Sequence, residues 1–204
     1  MSRYFSYFPQ SYYSLNDGTS VEVVTDLMKR IKFEESLKTN SEVFYTYDIE
    51  EGERPDTLAN RLYGDPEKHW IILLMNNIID MKSDWPMTYE EMTKHIEQKY
   101  GSVATAQSTI HGYFKIETYV MEYVQNDRRV ETTQINQDEY DSITEGTTNY
   151  VLENGDEYSV KIEKKAQTKF DYEMELNEQK RTIQILKPAY VNNVMREFQT
   201  ILNG

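Results

Sequence analysis

Residue types that carry out enzyme or metal chemistry are sparsely placed in this sequence. Its histidines, His69, His95 and His111, stand at none of the short spacings, such as His-x-x-x-His, that metal sites use. The chain also lacks a Gly-x-Ser-x-Gly nucleophile motif, a Walker phosphate-binding loop and a Gly-x-Gly-x-x-Gly dinucleotide motif. We therefore predict a protein that is not an enzyme, with no catalytic residue, no metal ligand and no cofactor.

Carboxylates are the one abundant class of reactive side chain, with 35 Asp and Glu residues. Segments 48–53 and 89–92 gather several of them, and a pair of carboxyl groups at close range is the machinery of glycoside hydrolases. No sequence feature marks two of them as a pair withdrawn from water, so a solvated acidic face is the favoured interpretation. An enzyme with its carboxylates in the acidic half of the chain is kept as an alternative.

The charge of the chain argues against two classes of partner. Its formal net charge is −13, and residues 111–160 hold 11 acidic and 3 basic residues. Binding to a phosphate backbone requires a basic stripe, so we predict neither nucleic acid nor an anionic membrane as partner. Cysteine is absent, which excludes disulfides and thiolate metal sites. With no apolar run of about 18 residues and no secretory pattern at its start, the chain is expected to be a soluble intracellular protein or a part of something assembled inside a cell.

Tyrosine is frequent, with 17 residues, and several lie near the start of the chain. We predict an extended arm over residues 1–40, with a helical stretch at 25–33, because its sequence has too little periodicity to form a core. The arm either folds back on the next domain or is buried by a partner. In isolation we expect it to be disordered and protease-sensitive, whereas residues 44–100 resist cleavage. Aromatic side chains dominate interface energetics, so the arm residues predicted to bind a partner are Tyr4, Phe5, Tyr7, Phe8, Tyr12 and Tyr13.

The segment 41–110 is predicted to hold a compact strand–helix–helix–strand unit and a further helix at its end. A strand-like run around Tyr45 precedes a helix that starts at Pro55. A second helix starts at Pro66 behind an Asp cap, and residues 78–80 are predicted to begin the return strand. A helix wedged into so small a unit needs apolar residues on nearly every side.

Six consecutive apolar residues, 70–75, form that second helix. Ile71 or Ile72 is expected to face a neighbouring element. The predicted core residues of the unit are Leu58, Leu62, Trp70, Leu73 and Leu74.

The segment 111–165 is predicted to be rich in β-structure and acidic. Asn154-Gly155 lies between two alternating runs, which is a strong signal for a hairpin. Residues 136–148 are acidic and rich in turn formers, so we predict a mobile loop there.

The segment 166–204 is predicted to be a helix, a strand and a helix. Thr168 is the predicted cap of the first helix and Pro188 the predicted start of the last. Taken together, the fold class is α+β, with an aromatic N-terminal arm, a helix-and-strand core, a β-rich acidic insertion and this C-terminal segment.

The helix–helix unit resembles a LysM module. Asp56-Thr57-Leu58-Ala59, with Leu74 and Asn76 further on, occupies the places of the Gly-Asp-Thr-Leu loop and the later Leu and Asn of that pattern. The usual Gly-Asp-Thr is lengthened here to residues 52–57, in a loop that helps to hold chitin or peptidoglycan sugars in LysM modules. The resemblance therefore implies the fold, and the longer loop counts against sugar binding.

A larger part of the chain is similar to the baseplate wedge protein of T-even-type phages, the gene-53 type. The matching pieces are the segment 25–33, the unit with its Tyr-Gly-Asp-Pro turn, and the Trp-Pro pair with the helix that follows it. Tyr172-Glu173, Asn177-Glu178 and Arg181 with the strand Ile-Gln-Ile-Leu agree at the far end. The resemblance covers roughly residues 20–110 and 168–202, and the acidic β-segment is the least similar part.

The family resemblance implies a structural role in the virion, in the tail baseplate, with assembly in the host cytoplasm. In that family the protein bridges neighbouring wedges as they close into a sixfold ring around the hub, in multiple copies. It contacts the large wedge scaffold subunits near the sheath-initiating subunit, and no catalytic residue or cofactor is attributed to it.

A second partner-binding patch is predicted on the loop side of the unit, at Arg54, Tyr63 and Trp85. For Trp85 a place in the core is an equally strong expectation. Two other functions are kept as alternatives: a LysM protein that binds peptidoglycan, and another LysM-bearing tail protein at the tube or hub.

Overall fold

The structure, a computed structural model, mixes helices and strands, as the predicted α+β class requires. The chain forms two compact units: the discontinuous unit, residues 1–88 with 178–204, and the inserted unit, residues 89–177. The four-part division of the chain stays a prediction. The described residues are 3–14, 21–28, 42–121, 127–153, 155 and 157–203.

The elements are named here in chain order. The helices are α1 (Arg3–Ser6), α2 (Pro55–Tyr63), α3 (His69–Met75), α4 (Met81–Asp84), α5 (Tyr89–Tyr100), α6 (Val103–Ser108), α7 (Gln137–Ser142), α8 (Lys169–Glu178) and α9 (Val191–Asn203). The strands are β1 (Gln10–Ser14), β2 (Val21–Thr25), β3 (Phe44–Asp48), β4 (Ile110–Met121), β5 (Asp127–Ile135), β6 (Gly146–Val151), β7 (Glu157–Thr168) and β8 (Thr182–Leu186). Short 3₁₀ turns at Pro66–Lys68 and Pro188–Tyr190 precede α3 and α9.

The predicted start of α2 is confirmed, whereas Pro66, the predicted start of the second helix, begins a 3₁₀ turn and α3 itself begins at His69. Pro55 is the first residue of α2, and Gly64 follows its end with φ 67°, a left-handed conformation that glycine adopts without strain. The Asp65 carboxylate accepts a hydrogen bond from the Glu67 N–H at 3.0 Å, which caps the turn that leads into α3.

The predicted return strand at residues 78–80 is wrong. Asn77 has φ 55° and turns the chain, and Ile79 is 83 % exposed. The partner of β3 is β8, which pairs with it antiparallel over the full length of both strands. On the other edge of β8, the side-chain amide of Asn76 takes the place of a further strand. It donates to the Gln184 carbonyl oxygen at 2.8 Å and accepts from the Gln184 N–H at 2.8 Å.

Helix α3 lies between two clusters of buried side chains, so its apolar residues are divided between them. Ile71 belongs to the first core cluster and Ile72 to the second, and both are 0 % exposed. The expectation that one of them faces a neighbouring element agrees with this division, because the first cluster includes Phe198 of α9. Each fully buried side chain of this size contributes about 1.5–3 kcal/mol. The first core cluster is Phe8, Phe44, Trp70, Ile71, Met75, Leu186, Val191, Phe198 and Leu202; the second is Ile49, Leu58, Ala59, Ile72, Trp85, Ile183 and Ile185.

The predicted core residues of the unit differ in their burial. Leu58 and Trp70 are buried, with 0 % and 6 % exposed. Leu62 and Leu73 are half-buried against the second core cluster, and Leu74 is half-buried against the first.

The N-terminal segment is structured where it is described, so the expected disorder of the arm is wrong for its first part. Helix α1 leads to Phe8, which is buried in the first core cluster, and β1 and β2 pair as an antiparallel hairpin. The aromatic residues fold back because the core supplies Trp70 and Phe198 as apolar partners. The predicted helix at 25–33 is replaced at its start by the end of β2, and residues 29–33 lie outside the described part.

The inserted unit is built on an antiparallel sheet with strand order β5-β4-β7-β6. Strands β6 and β7 form the predicted hairpin, with Val151 opposite Glu157, although Asn154 itself lies outside the described residues. The predicted loop at 136–148 is wrong. Asn136 caps α7 by accepting from the Glu139 N–H at 2.8 Å, and Lys164 holds the end of α7 by donating to the Tyr140 carbonyl oxygen at 3.0 Å.

Two helices of the inserted unit, α5 and α8, were predicted from the sequence, whereas α6 and α7 were not. Met92 and Ile96 are buried on α5, and Gly101 ends that helix with φ 85°. The Thr168 hydroxyl accepts from the Asp171 N–H at 3.1 Å, which confirms the predicted cap of α8. In the described part of the chain, no helix is long and apolar enough to span a membrane.

Candidate functional site

The predicted partner-binding aromatics of the arm separate into an anchored and an exposed group. Tyr4 packs on Trp70 with 5.2 Å between ring centroids, and Phe8 packs on Phe198 at 6.2 Å. Tyr7 contacts the same two core rings. These contacts fix the start of the arm to the discontinuous unit, because edge-to-face and tilted ring pairs at 4.5–7 Å are stabilising.

The exposed group is carried mainly by the hairpin of β1 and β2. Tyr12 is 82 % exposed and Tyr13 is 56 % exposed, and Phe5 on α1 is 51 % exposed. Tyr12 stands directly opposite Val23, which is 56 % exposed. The hairpin therefore presents an aromatic and aliphatic face to solvent, and its root is closed by the Asp26 N–H donating to the Pro9 carbonyl oxygen at 2.8 Å.

The three residues of the second predicted patch do not form one exposed surface. Trp85 is 7 % exposed, and its indole Nε1–H donates to the Glu53 carbonyl oxygen at 2.8 Å. Tyr63 is half-buried and donates its hydroxyl to the Leu186 carbonyl oxygen at 3.1 Å. Burial raises the pKa of the Tyr63 phenol far above its ordinary value. Of the three, only Arg54 is exposed to solvent, and Trp85 lies in the second core cluster.

The lengthened loop before α2 is held closed by a polar network that the sequence did not reveal. Tyr47 donates to the Glu53 carboxylate at 2.8 Å, and Arg61 donates to the same carboxylate at 2.6 Å. Arg61 also donates to the Tyr47 hydroxyl. Glu53 is thus bonded through its side chain to β3 and α2, and through its backbone to Trp85, which fixes the loop against the second core cluster.

A buried carboxylate in the inserted unit was also missed by the sequence analysis. Glu173 is 4 % exposed and accepts from the Lys99 ammonium and the Tyr100 hydroxyl, each at 2.7 Å. Burial by itself raises the pKa of the Glu173 carboxyl, but the hydrogen bonds from Lys99 and Tyr100 outweigh it and hold the pKa below its usual value. The His95 imidazole lies 3.6 Å from the other oxygen.

This arrangement is that of an ionised carboxylate that ties α8 to α5, since an acid catalyst would need a raised pKa. In the sequence, Glu173 is marked only by being a carboxylate at a position of α8 where a buried side chain is needed. No group of three or more His, Cys, Asp or Glu side chains that could hold a metal ion is found among the described residues. The exposed hairpin is the candidate site considered below.

Comparison with known proteins places the chain in a family. The sequence profile described as "Base plate wedge protein 53" matches residues 4–201. The chain is 35 % identical over 66 residues to "Baseplate wedge protein gp53" of Enterobacteria phage T4. That stretch is 32 % of this chain and spans 34 % of the relative's length. Since the profile covers nearly the whole sequence, the chain belongs to the base plate wedge protein 53 family.

Proposed function

We propose that this chain is a structural component of a contractile-tail baseplate, where it bridges neighbouring wedges and helps to close the ring around the hub. The observation that carries the proposal, beside the family, is the exposed aromatic hairpin of β1 and β2 on an anchored base. A structural part of an assembly needs such a surface, and it needs no catalytic site.

The hairpin has the physical features of a surface that a partner covers. All five residues of β2 are exposed, and four of the five in β1 are exposed as well. A two-stranded hairpin is marginally stable in water by itself, and packing against another surface stabilises it. Tyr12 and Tyr13 supply large contact areas at a low cost in conformational entropy, which makes them suitable anchors in an interface.

The partners are proposed to be other wedge proteins. They are the large wedge scaffold subunits and a subunit of the sheath-initiating kind, joined in the host cytoplasm, with multiple copies of this chain in a sixfold assembly. The net charge of −13 supports a protein partner and opposes nucleic acid or an anionic membrane.

Two rival functions have less support. Sugar binding in the manner of a LysM module is opposed by the closed loop, because Glu53 is engaged with Tyr47 and Arg61. The LysM likeness itself rests on sequence alone, and so does the alternative of a LysM-bearing protein at the tube or hub. The enzyme alternative rests on the abundance of carboxylates alone, and the buried one, Glu173, is engaged by Lys99 and Tyr100.

The test is complementation of a phage in which this gene is deleted. Without the gene, we expect capsids without sheathed tails in the lysate by negative-stain electron microscopy, and complete particles when the natural chain is supplied. The doubly substituted chain Tyr12→Ser with Tyr13→Ser should restore at least tenfold fewer particles, because it removes the exposed aromatic anchors.

The matched control is Tyr89→Ser, which changes a tyrosine that is 63 % exposed on the inserted unit. It should restore particles within about twofold of the natural chain. Complete particles in the absence of the gene would refute the baseplate role. Equal rescue by the double variant would refute the hairpin as the contact surface.

A further inference from the structure

The two edge strands of the inserted unit's sheet are protected very differently. β5 carries Arg128, Arg129 and Glu131, and Arg129 forms an ion pair with Glu131. β6, with the sequence Gly-Thr-Thr-Asn-Tyr-Val, has no charged residue and no proline, and all six of its residues are exposed. Natural proteins guard an open edge with charges, proline or a covering element, because unpaired N–H and C=O groups invite another strand.

β6 has a neighbour on one side only in the described part of the chain, namely β7. Its backbone groups on the other side therefore pair with no described strand. The Tyr150 ring stacks on the Tyr158 ring, with 4.9 Å between ring centroids and 14° between ring planes. Val151 is 67 % exposed beside it. The edge thus offers backbone hydrogen bonds together with ordered apolar side chains.

Acidic side chains bracket this uncharged strand at both ends. Glu145 precedes it and accepts from the Lys164 N–H at 2.9 Å, whereas Glu153 and Glu157 stand exposed at its far end. Residues 136–157 hold seven acidic and no basic residues. A second copy of the same edge would bring like charges together, which costs affinity, whereas basic residues on a partner would be attracted.

We infer that β6 is a docking edge for an extended segment of another baseplate protein, uncharged over its centre and carrying Lys or Arg at its ends. The segment adds a fifth strand to the sheet, so main-chain hydrogen bonds supply affinity and the acidic brackets set position and specificity. β6 belongs to the inserted unit and the aromatic hairpin to the discontinuous unit. The inference rests on the proposed function because it takes the partner from that assembly.

Hydrogen–deuterium exchange of the full chain, free and within purified baseplates, tests the inference. We expect the outward-facing amides of residues 146–151 to exchange at least tenfold more slowly in the baseplate. Residues 127–135, in the charged edge strand, should exchange equally in both states. The free chain should sediment as a monomer.

A matched pair of substitutions distinguishes strand pairing from incidental cover. Thr148→Lys places a charge in the middle of β6 and should reduce incorporation into baseplates at least tenfold. Thr132→Lys places the same charge on β5, where Thr132 is also exposed, and should stay within about twofold. Circular dichroism melting of both free variants checks that they fold.

Each remaining outcome has a defined meaning. Unchanged exchange over 146–151 in a baseplate that contains the chain overturns the docking edge and leaves the proposed function standing. Protection that persists in Thr148→Lys, or a free dimer that Thr148→Lys dissociates, overturns the pairing with another protein. Absence of the chain from baseplates refutes the proposed function and, with it, this inference.

Discussion

Replacing Asn76 by alanine should destabilise the discontinuous unit by a predictable amount. The side chain makes three hydrogen bonds: two with the backbone of Gln184 and one from Nδ2 to the Ile72 carbonyl oxygen, each at 2.8 Å. At about 0.5–1.5 kcal/mol each, they sum to roughly 1.5–4.5 kcal/mol. Because Asn76 is only half-buried, water compensates part of the loss, and we expect about 2 kcal/mol.

The assay is urea unfolding followed by tryptophan fluorescence. Trp70 and Trp85 are the only tryptophans, and both lie in the discontinuous unit, so the signal reports on that unit. With a slope of about 2 kcal/mol/M, the midpoint should fall by about 1 M urea. The control is Asn60→Ala, the same change at an exposed position of α2, which should move the midpoint by at most about 0.3 M.

Asn76→Asp provides a test of the same reasoning by pH. The ionised carboxylate of this variant would set acceptors against the carbonyl oxygens of Gln184 and Ile72, which raises the pKa of the introduced carboxyl in the folded state. A raised pKa means that the folded state binds the proton more tightly, so the deficit relative to the parent should shrink as the pH falls from 7 to 3. A midpoint unchanged by Asn76→Ala, or a deficit independent of pH, would refute the role of this side chain as a substitute strand.

Two further substitutions test the polar contacts of each unit. Glu173→Gln should lower the melting stability of the inserted unit by about 1–2 kcal/mol at pH 7, since it loses the charge-assisted bond from Lys99. The pKa of Glu173 is lowered in the folded state, so this stabilisation is present above the ordinary pKa of a Glu carboxyl and is lost as the pH falls through the lowered pKa. Circular dichroism melts of variant and parent should therefore converge near pH 3. A difference in stability that does not change with pH would contradict the ion pair. Trp85→Phe should cost about 1–3 kcal/mol in urea unfolding followed through Trp70, because it leaves the Glu53 carbonyl oxygen unpaired; a loss below about 0.5 kcal/mol would show that this bond is not structural.

Local signals made α2 and the turn into α3 predictable, whereas the pairing of β3 with β8 is non-local and was not predicted. Pro55, Gly64 and Asp65 act within one turn of a helix end, so the sequence beside them was sufficient to place α2 and the turn into α3. The return strand was misplaced because β3 pairs with a strand 134 positions further along the chain. A one-dimensional pattern contains no record of that pairing.

The candidate site was predictable in composition and not in arrangement. The aromatic clusters of the arm were visible as residue types, yet the same types serve both as anchors in the core, such as Phe8, and as exposed residues, such as Tyr12. The burial of Glu173 could not be predicted, because a single acidic residue is expected at the surface. The structure shows that Lys99 and Tyr100 bind its carboxylate.

The separation of β3 from β8 has a consequence for the newly made protein on the ribosome. At about 5–20 residues per second, synthesis of the 134 positions between them takes roughly 7 to 27 s. During that interval the inserted unit can fold, whereas Phe8 and Trp70 lack the Phe198 ring until that residue has been translated. We therefore expect a product that ends before Phe198 to leave Phe8 and Trp70 without this ring partner, and its arm to be less firmly anchored.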